Sequence, residues 1–414
     1  MSGHTHHLPD SRYAWTRLAI TLVLISLGSS TMYVVPVVFP AVQADFGVDR
    51  AAVSASYAML MVGMGVGGIF MGRLADRFGM MPPLVLGGLG IAAGFAIAGS
   101  ASSLVTFNVA HGLLVGLLGS SAMFSPLLAD TSLWFVRRRG IAVAICASGN
   151  FLGGAVWPPV VQHFVASVGW RQTYLGMGVV AGVLIVMLAF AMRPRAPLAQ
   201  PTAAASRGAP EGGRPFGLPP LPAQVLLCIA GLACCVAMSM PQVHIVAYCA
   251  DLGYGPARGA QMLSLMFACG IVSRLASGWI CDHIGGLRTL IVGSSLQAVA
   301  LMLFLPFNGL VSLYLLSALF GLFQGGIVPS YAIIVRENFA AKETGARVGA
   351  VIMCTMVGMA LGGWMSGKVY DLTGSYQAAF LNGIAWNVLN LAIASFLLFR
   401  TSRASRLVPR ASRA

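Results

Sequence analysis

Formal charge is scarce in this chain. Only 9% of its 414 residues are Asp, Glu, Lys or Arg, and 11 are acidic, against 57% hydrophobic residues and a mean hydropathy of +0.83. Soluble domains carry about 25% charged residues, so a soluble globular protein is excluded. Catalytic spacing is missing too: there is no Ser-His-Asp, metal-ligand or phosphate-loop pattern, and the glycines at 65–68 read as helix packing rather than a nucleotide cradle. Neither an enzyme nor a bound cofactor or metal is expected. The eight cysteines lie mostly within apolar runs without metal-type spacing and read as buried, reduced thiols. His4, His6 and His7 read as part of a polar tail in preference to a weak metal site. The start MSGHTHHLPDSR leads into a full-length apolar run without a small-residue cleavage site, so no cleavable signal peptide is expected.

What is present is a succession of apolar runs, each long enough to cross roughly 30 Å of hydrocarbon as a helix of about 20 residues. They fall near 17–40, 52–72, 83–103, 105–129, 141–165 and 172–192, then 223–249, 257–281, 287–306, 310–335, 346–367 and 377–400. Twelve spans predict an all-α membrane protein. In a soluble chain the net charge of +14 would suggest nucleic acid, but its placement here reports topology. With the N-terminus inside, every Lys and Arg falls in a cytoplasmic segment except Arg50, Arg171, Arg258 and Lys368 in outside loops and Arg274 within a helix. A multi-pass protein of the cell (inner) membrane with both termini cytoplasmic is expected. Its partners would be the lipid bilayer and a small solute, with no nucleic acid, and it would work as a monomer.

The segment 193–222 is rich in Pro, Ala, Gly and Arg and cannot form a packed core, so it reads as a cytoplasmic linker between bundles at 1–192 and 223–400, with a basic tail at 401–414. Within that tail, Leu407-Val408-Pro409-Arg410 is similar to a thrombin site or is a chance run. Shifting the second half over the first by about 205 residues aligns three features, as an internal duplication requires. GRLADRFG (72–79) falls on GWICDHIG (278–285), the loop and helix 138–154 on 343–363, and Gly169 to Gln172 on Gly374 to Gln377. Two pseudo-symmetric six-helix bundles follow, with any ligand site where they meet. Pro36, Pro40, Pro126, Pro241 and Pro329 interrupt corresponding helices, either as packing kinks or as breaks facing a cavity.

The segment Gly72-Arg73-Leu74-Ala75-Asp76-Arg77-Phe78-Gly79 resembles the signature loop between helices 2 and 3 of the major facilitator superfamily, and the resemblance covers essentially the whole chain. It departs from the family where Met80, Met81 and Pro82 replace the usual basic residues. It implies gating roles for Gly72, Asp76, Arg77, Gly79 and Asp130, and for Gly278, Asp282 and Gly285 in the second copy. Asp76 would accept hydrogen bonds from the amino end of a helix in the opposite half, favouring the outward-facing state, and Arg77 would pair with Asp130. The alternative is solvated loop charges that serve topology alone. The run LWFVRRRGIAVAICASGNFLGG (133–154), with Gly169-Trp170-Arg171 after it, is similar to the branch of monocarboxylate transporters and oxalate:formate antiporters. That resemblance implies that Arg274, in the pattern Arg-x-x-x-Gly, holds the substrate carboxylate.

Arg274 lies in a run otherwise fit for lipid, eight residues before Asp282 and so roughly 12 Å up the helix. An arginine at a helix centre costs at least roughly 2.5–3.5 kcal/mol and cannot escape by losing its proton. A transported anion, a structural partner or snorkelling to the inner surface could meet the charge. The sequence places no Asp or Glu within a span, which weighs against the structural partner. One fixed cation balances one carboxylate, so a small organic monoanion is expected. Oxalate carriers of this branch carry a further lysine in helix 11, absent here; animal monocarboxylate carriers have a lysine where Tyr33 falls and an aspartate where Gly270 falls. His111 and His244 are the intramembrane candidates for proton coupling, with packing roles as the alternative and uniport or exchange left open. Tyr33, Asn150, Gln324 and Tyr331 are expected to line the cavity around Arg274, and Trp157 and Trp364 either to close it or to pack. A secondary transporter of monocarboxylates by alternating access is therefore expected. The alternatives are a proton-coupled drug or metabolite exporter of the same superfamily, in which Arg274 is structural, and a membrane sensor that drives no flux.

Overall fold

The computed structural model describes residues 9–195, 214–340 and 343–407, with side chains as far as Thr401. Most of the linker, the histidines at 4, 6 and 7 and nearly all of the Leu407–Arg410 tail motif lie outside the described residues. Twelve helices are long and apolar enough to span a membrane. In chain order they are α1 (Arg12–Phe46), α2 (Arg50–Phe78), α3 (Met81–Gly99), α4 (Leu104–Trp134), α5 (Arg139–Val168), α6 (Trp170–Ala191), α7 (Pro220–Asp251), α8 (Pro256–Ile284), α9 (Gly286–Leu303), α10 (Leu310–Asn338), α11 (Thr344–Thr373) and α12 (Tyr376–Thr401). Several outrun their apolar stretch by a turn or more, because helical hydrogen bonds continue past the apolar core wherever capping permits. At the start of α1, Ser11 caps by accepting from the Ala14 N–H.

Packing follows the duplication. In the first half α1 lies against α5, α2 against α4 and α3 against α6; in the second, α7 lies against α11, α8 against α10 and α9 against α12. Each pair of the second set is the first advanced by six helices. Across the divide α2 packs on α11 and α5 on α8, a pair of seams related by the same symmetry, while α1 meets α7 between them.

The backbone repeats the relation where the sequence match is densest. Gly79 (φ 86°) ends α2 by donating to the Ala75 carbonyl at 2.8 Å, and Gly285 (φ 82°) ends α8 by donating to the Cys281 carbonyl at 2.8 Å. A left-handed φ at both positions explains why the two copies of the motif share a terminal glycine when most of their other residues differ.

Two corresponding helices are broken. α4 passes from an α-helical start into a π-helix over Ala110–Gly119 and a 3₁₀ turn over Ser120–Met123, then restarts as an α-helix at Ser125 beyond Phe124. α10 stops at Gln324 and resumes at Ile327. Such breaks release main-chain carbonyls that cannot be left to hydrocarbon, so they must face protein or a polar cavity.

Candidate substrate site

At the two breaks the halves part around a cavity of about 120 Å³. From the first half it is lined by Tyr33 on α1, Ser120 and Met123 on α4, and Asn150 on α5; from the second by Gln242 on α7, Arg274 on α8 and Gln324 on α10. Tyr331 is not part of it. Its hydroxyl is fully buried and donates to Asn390 Oδ1 at 2.8 Å, because it lies two turns beyond Gln324, past the break, on the face of α10 turned to α12. Trp157 donates to the Ser26 carbonyl at 2.7 Å and Trp364 is exposed, so neither borders the cavity.

Arg274 explains the α10 break chemically. Its Nε donates to the Gly325 carbonyl freed there, at 3.3 Å, while its Nη1 reaches across the halves to the Ala147 carbonyl on α5, at 2.9 Å. Its guanidinium carbon lies 4.5 Å from the centre of the Phe151 ring. Carbonyls and a ring face supply partial charges only. The ion pairs among the described residues are Arg17–Asp130, Arg50–Asp251, Arg171–Asp45 and Arg347–Glu343, so Arg274 is left with a full positive charge and unused N–H groups beside the cavity.

The neighbouring amides add donors. Tyr33 donates to Asn150 Oδ1 at 3.2 Å, and Gln242 Nε2 donates to Gln324 Oε1 at 2.7 Å. Both acceptor oxygens are thus occupied by protein, while Gln324 Nε2, on a residue only 2% exposed, has no partner. The hydroxyls of Thr31 and Ser120 turn back to carbonyls of their own helices. A cation with spare amide N–H groups suits a ligand that brings acceptors and negative charge.

Gly270, one turn before Arg274, has a physical counterpart across the seam. A Cβ there would stand 2.5 Å from Phe151 Cδ1, so the Phe151 ring fills the room a side chain would take and serves Arg274 in place of a carboxylate. The double substitution Gly270→Asp with Phe151→Ala should fold and place a counter-charge beside Arg274. Transport by proteoliposomes should then fall about tenfold, because the new carboxylate occupies the guanidinium.

The candidate coupling residues part company. His111 is fully buried inside the first half, bonded to the Phe107 carbonyl at 2.8 Å and the Tyr174 hydroxyl at 3.1 Å, away from both cavity and seams. His244 sits where the halves meet. Its Nε2 is 2.8 Å from the Gly363 carbonyl, which can only accept, so Nε2 carries the proton and Nδ1 accepts from Tyr376 Oη at 3.1 Å.

Tyr376 belongs to a latch that the sequence reading missed. On the face opposite the termini, Arg50 at the start of α2 grips Asp251 at the end of α7 through two bonds of 2.6 Å and donates to Tyr376 Oη at 2.7 Å. Its guanidinium also lies 3.7 Å from the centre of the Tyr370 ring. Asp371 on α11 accepts from the backbone N–H groups of Arg50 and Ala51 at 3.0 and 2.8 Å, capping the positive end of α2. A carboxylate does cap a helix of the opposite half, but it is Asp371 rather than Asp76, and on the other face.

The gating residues at the termini face are arranged differently from expectation. Asp76, Arg77 and Asp282 are exposed, and Gly72 and Gly278 have open space about them. Asp130 is paired with Arg17 rather than Arg77, through bonds of 3.0 and 3.1 Å, with Arg17 stacked on Trp134. Arg17 and Asp130 are buried side by side within the first bundle, whereas Arg77 projects from the end of α2 over Phe78. Arg17, removed from water, needs the Asp130 carboxylate, whereas the exposed Arg77 is solvated without one.

A cavity between two related bundles, latched at one face and carrying a cation at its wall, defines a membrane carrier. The family model of the Major Facilitator Superfamily matches residues 18–316 and 288–413, and the chain belongs to that superfamily, whose members are transporters and not enzymes. Monocarboxylate transporter 13 of Bos taurus is 30% identical over 318 residues, covering 74% of this chain and 71% of that protein. Monocarboxylate transporter 13 of Rattus norvegicus is 28% identical over 390 residues, covering 91% and 87%. Among solved structures, a bacterial homologue of the human lysosomal transporter Spinster, in an inward-facing and unoccupied conformation, shares the fold with a TM-score of 0.70 at 14% identity, covering 96% of this chain and 98% of that one.

Proposed function

We propose that this protein is a secondary transporter moving a small organic monoanion, a monocarboxylate, across the cytoplasmic membrane by alternating access. The observation that carries the reading is Arg274: a cation on the cavity wall, met by two carbonyls and a ring but by no carboxylate. Relatives that bear the name monocarboxylate transporter support it. A carboxylate would complete the site through two parallel hydrogen bonds from the guanidinium, with Gln324 Nε2 as a further donor. As the halves rock on the α2–α11 and α5–α8 seams, the latch would close one face and the Asp76 and Asp282 loops the other. The basic residues gathered at the termini face support a cytoplasmic placement of that face. His244 is the coupling residue in this scheme, since a proton on it is felt by the latch.

Uptake of a panel of labelled carboxylates into proteoliposomes, with and without an imposed pH gradient, tests the reading. Saturable uptake of monocarboxylates, stronger than that of dicarboxylates, is expected. Efflux of amphipathic cations untouched by carboxylate competition would identify an exporter instead, and binding without flux a sensor.

A further inference from the structure

The wall opposite Arg274 is made of thioethers. Seven methionines line the cavity, among them Met61 and Met64 on α2 and Met356 and Met359 on α11. Arg274, Asn150, Phe151 and Phe267 belong to the α5–α8 seam, so the cavity runs from a cationic seam to a methionine seam. The hydroxyls between them are spent on their own helices: Ser29 on Ser26, Thr31 on Gly28 and Ser120 on Val115. Beyond the guanidinium end, then, a ligand meets soft, polarisable and adaptable surface with little to bond a second polar group. A cavity of about 120 Å³ is of the order that takes one benzene-sized body.

We infer that the transported anion is amphipathic: one carboxylate, held at Arg274, joined to an aromatic or branched aliphatic body that lies against the methionine wall. Resting on the monocarboxylate reading above, this inference narrows the substrate from small monocarboxylates in general to hydrophobic ones. A hydroxyl on the body of the acid would be buried without a partner and cost affinity, whereas a ring gains both burial and sulfur–ring contacts. Methionine wins over leucine at such a wall because its unbranched chain can repack around bodies of different outline.

The test is a competition ladder. Proteoliposomes take up labelled 3-phenylpropionate in the presence of acetate, lactate, 4-methylpentanoate, unlabelled 3-phenylpropionate or neutral 3-phenylpropanol. Half-inhibitory concentrations are expected to fall at least tenfold from acetate and lactate to 4-methylpentanoate and 3-phenylpropionate, with the alcohol inert. Met356→Gln should compress the ladder to within about threefold, while Met356→Leu should weaken the aromatic acid more than the aliphatic one. Size-exclusion profiles show that each variant is folded. Acetate or lactate competing as well as the hydrophobic acids, or a ladder unmoved by Met356→Gln, overturns the amphipathic assignment and leaves the carboxylate reading standing. Competition by the alcohol equal to that of its acid, or no uptake of any acid, removes the carboxylate reading itself.

Discussion

Replacing Arg274 by Gln should lower monocarboxylate uptake by two orders of magnitude or more while leaving the protein folded. Charge-assisted hydrogen bonds contribute about 1.5–3 kcal/mol each, and two of them to one carboxylate account for a loss of that size. Glutamine still reaches toward the Gly325 carbonyl and cannot replace the charge. The fold should tolerate the change, because Arg274 is tied to its surroundings by only two hydrogen bonds to carbonyls and one ring contact. Arg274→Lys should retain part of the rate, since it restores the charge without the planar fork that fits two oxygens at once. Initial rates in proteoliposomes of matched protein content, set beside thermal unfolding in detergent, separate lost transport from lost structure. Uptake by Arg274→Gln within threefold of the parent would make the arginine a structural cap for the α10 break.

Much of this architecture was legible because the bilayer imposes a strict code. Apolar runs of sufficient length had nowhere to go but across it, and all twelve appear as helices. The duplication was legible from GRLADRFG and GWICDHIG because both must end a helix with a left-handed glycine. Arg274 stood out because its neighbours in sequence are apolar, and Tyr33, Asn150 and Gln324 were placed at middle depth on the same ground. Depth along a helix can be counted from sequence, but direction around it cannot when every face is apolar. Tyr331 shows this: its depth was compatible with the cavity, yet Asn390 on α12 claims its hydroxyl.

Charged pairs were less legible, since a pair depends on two helices at once. Asp130 was assigned to Arg77 through the family pattern, while Arg17, the partner it has, lay unremarked at the start of the first span. A signal for the latch did exist. Arg50 and Arg171 both break the rule that positive charge stays on the cytoplasmic side, and both are ion-paired, to Asp251 and Asp45 respectively. Exceptions to a topological rule deserve a structural reason, and two of the four outside basic residues have one in these ion pairs.

Arg50→Gln should shift the carrier toward the state open on the latch face. Three contacts between halves converge on this residue: the two-bond grip on Asp251, the bond to Tyr376 and the stacking on Tyr370. Asp371 would still cap α2 through backbone N–H groups, which the substitution keeps, so the helix itself should survive. Losing the charged bonds removes about 1.5–3 kcal/mol from one state and nothing from the other, enough to change their ratio roughly 10–150-fold. Spin labels at Asp49→Cys and Ala257→Cys, with the native cysteines replaced, span the two halves at that face. Their distance distribution should lengthen by several ångströms, roughly the scale of alternating access. The same displacement should follow acidification of the parent if His244 couples protons to the latch. A proton on His244 Nδ1 turns an acceptor from Tyr376 into a donor and adds positive charge one hydroxyl away from Arg50. Asp251 and Asp371 lie nearby with the opposite sign, and Tyr248 and Tyr370 complete the titratable surroundings. In His244→Gln the acid response should vanish while the Arg50→Gln response persists, because that variant removes the proton site and spares the grip. An acid response that survives in His244→Gln would move coupling to another group, and distances unchanged in Arg50→Gln would mean that the α2–α11 seam holds this face shut without the latch.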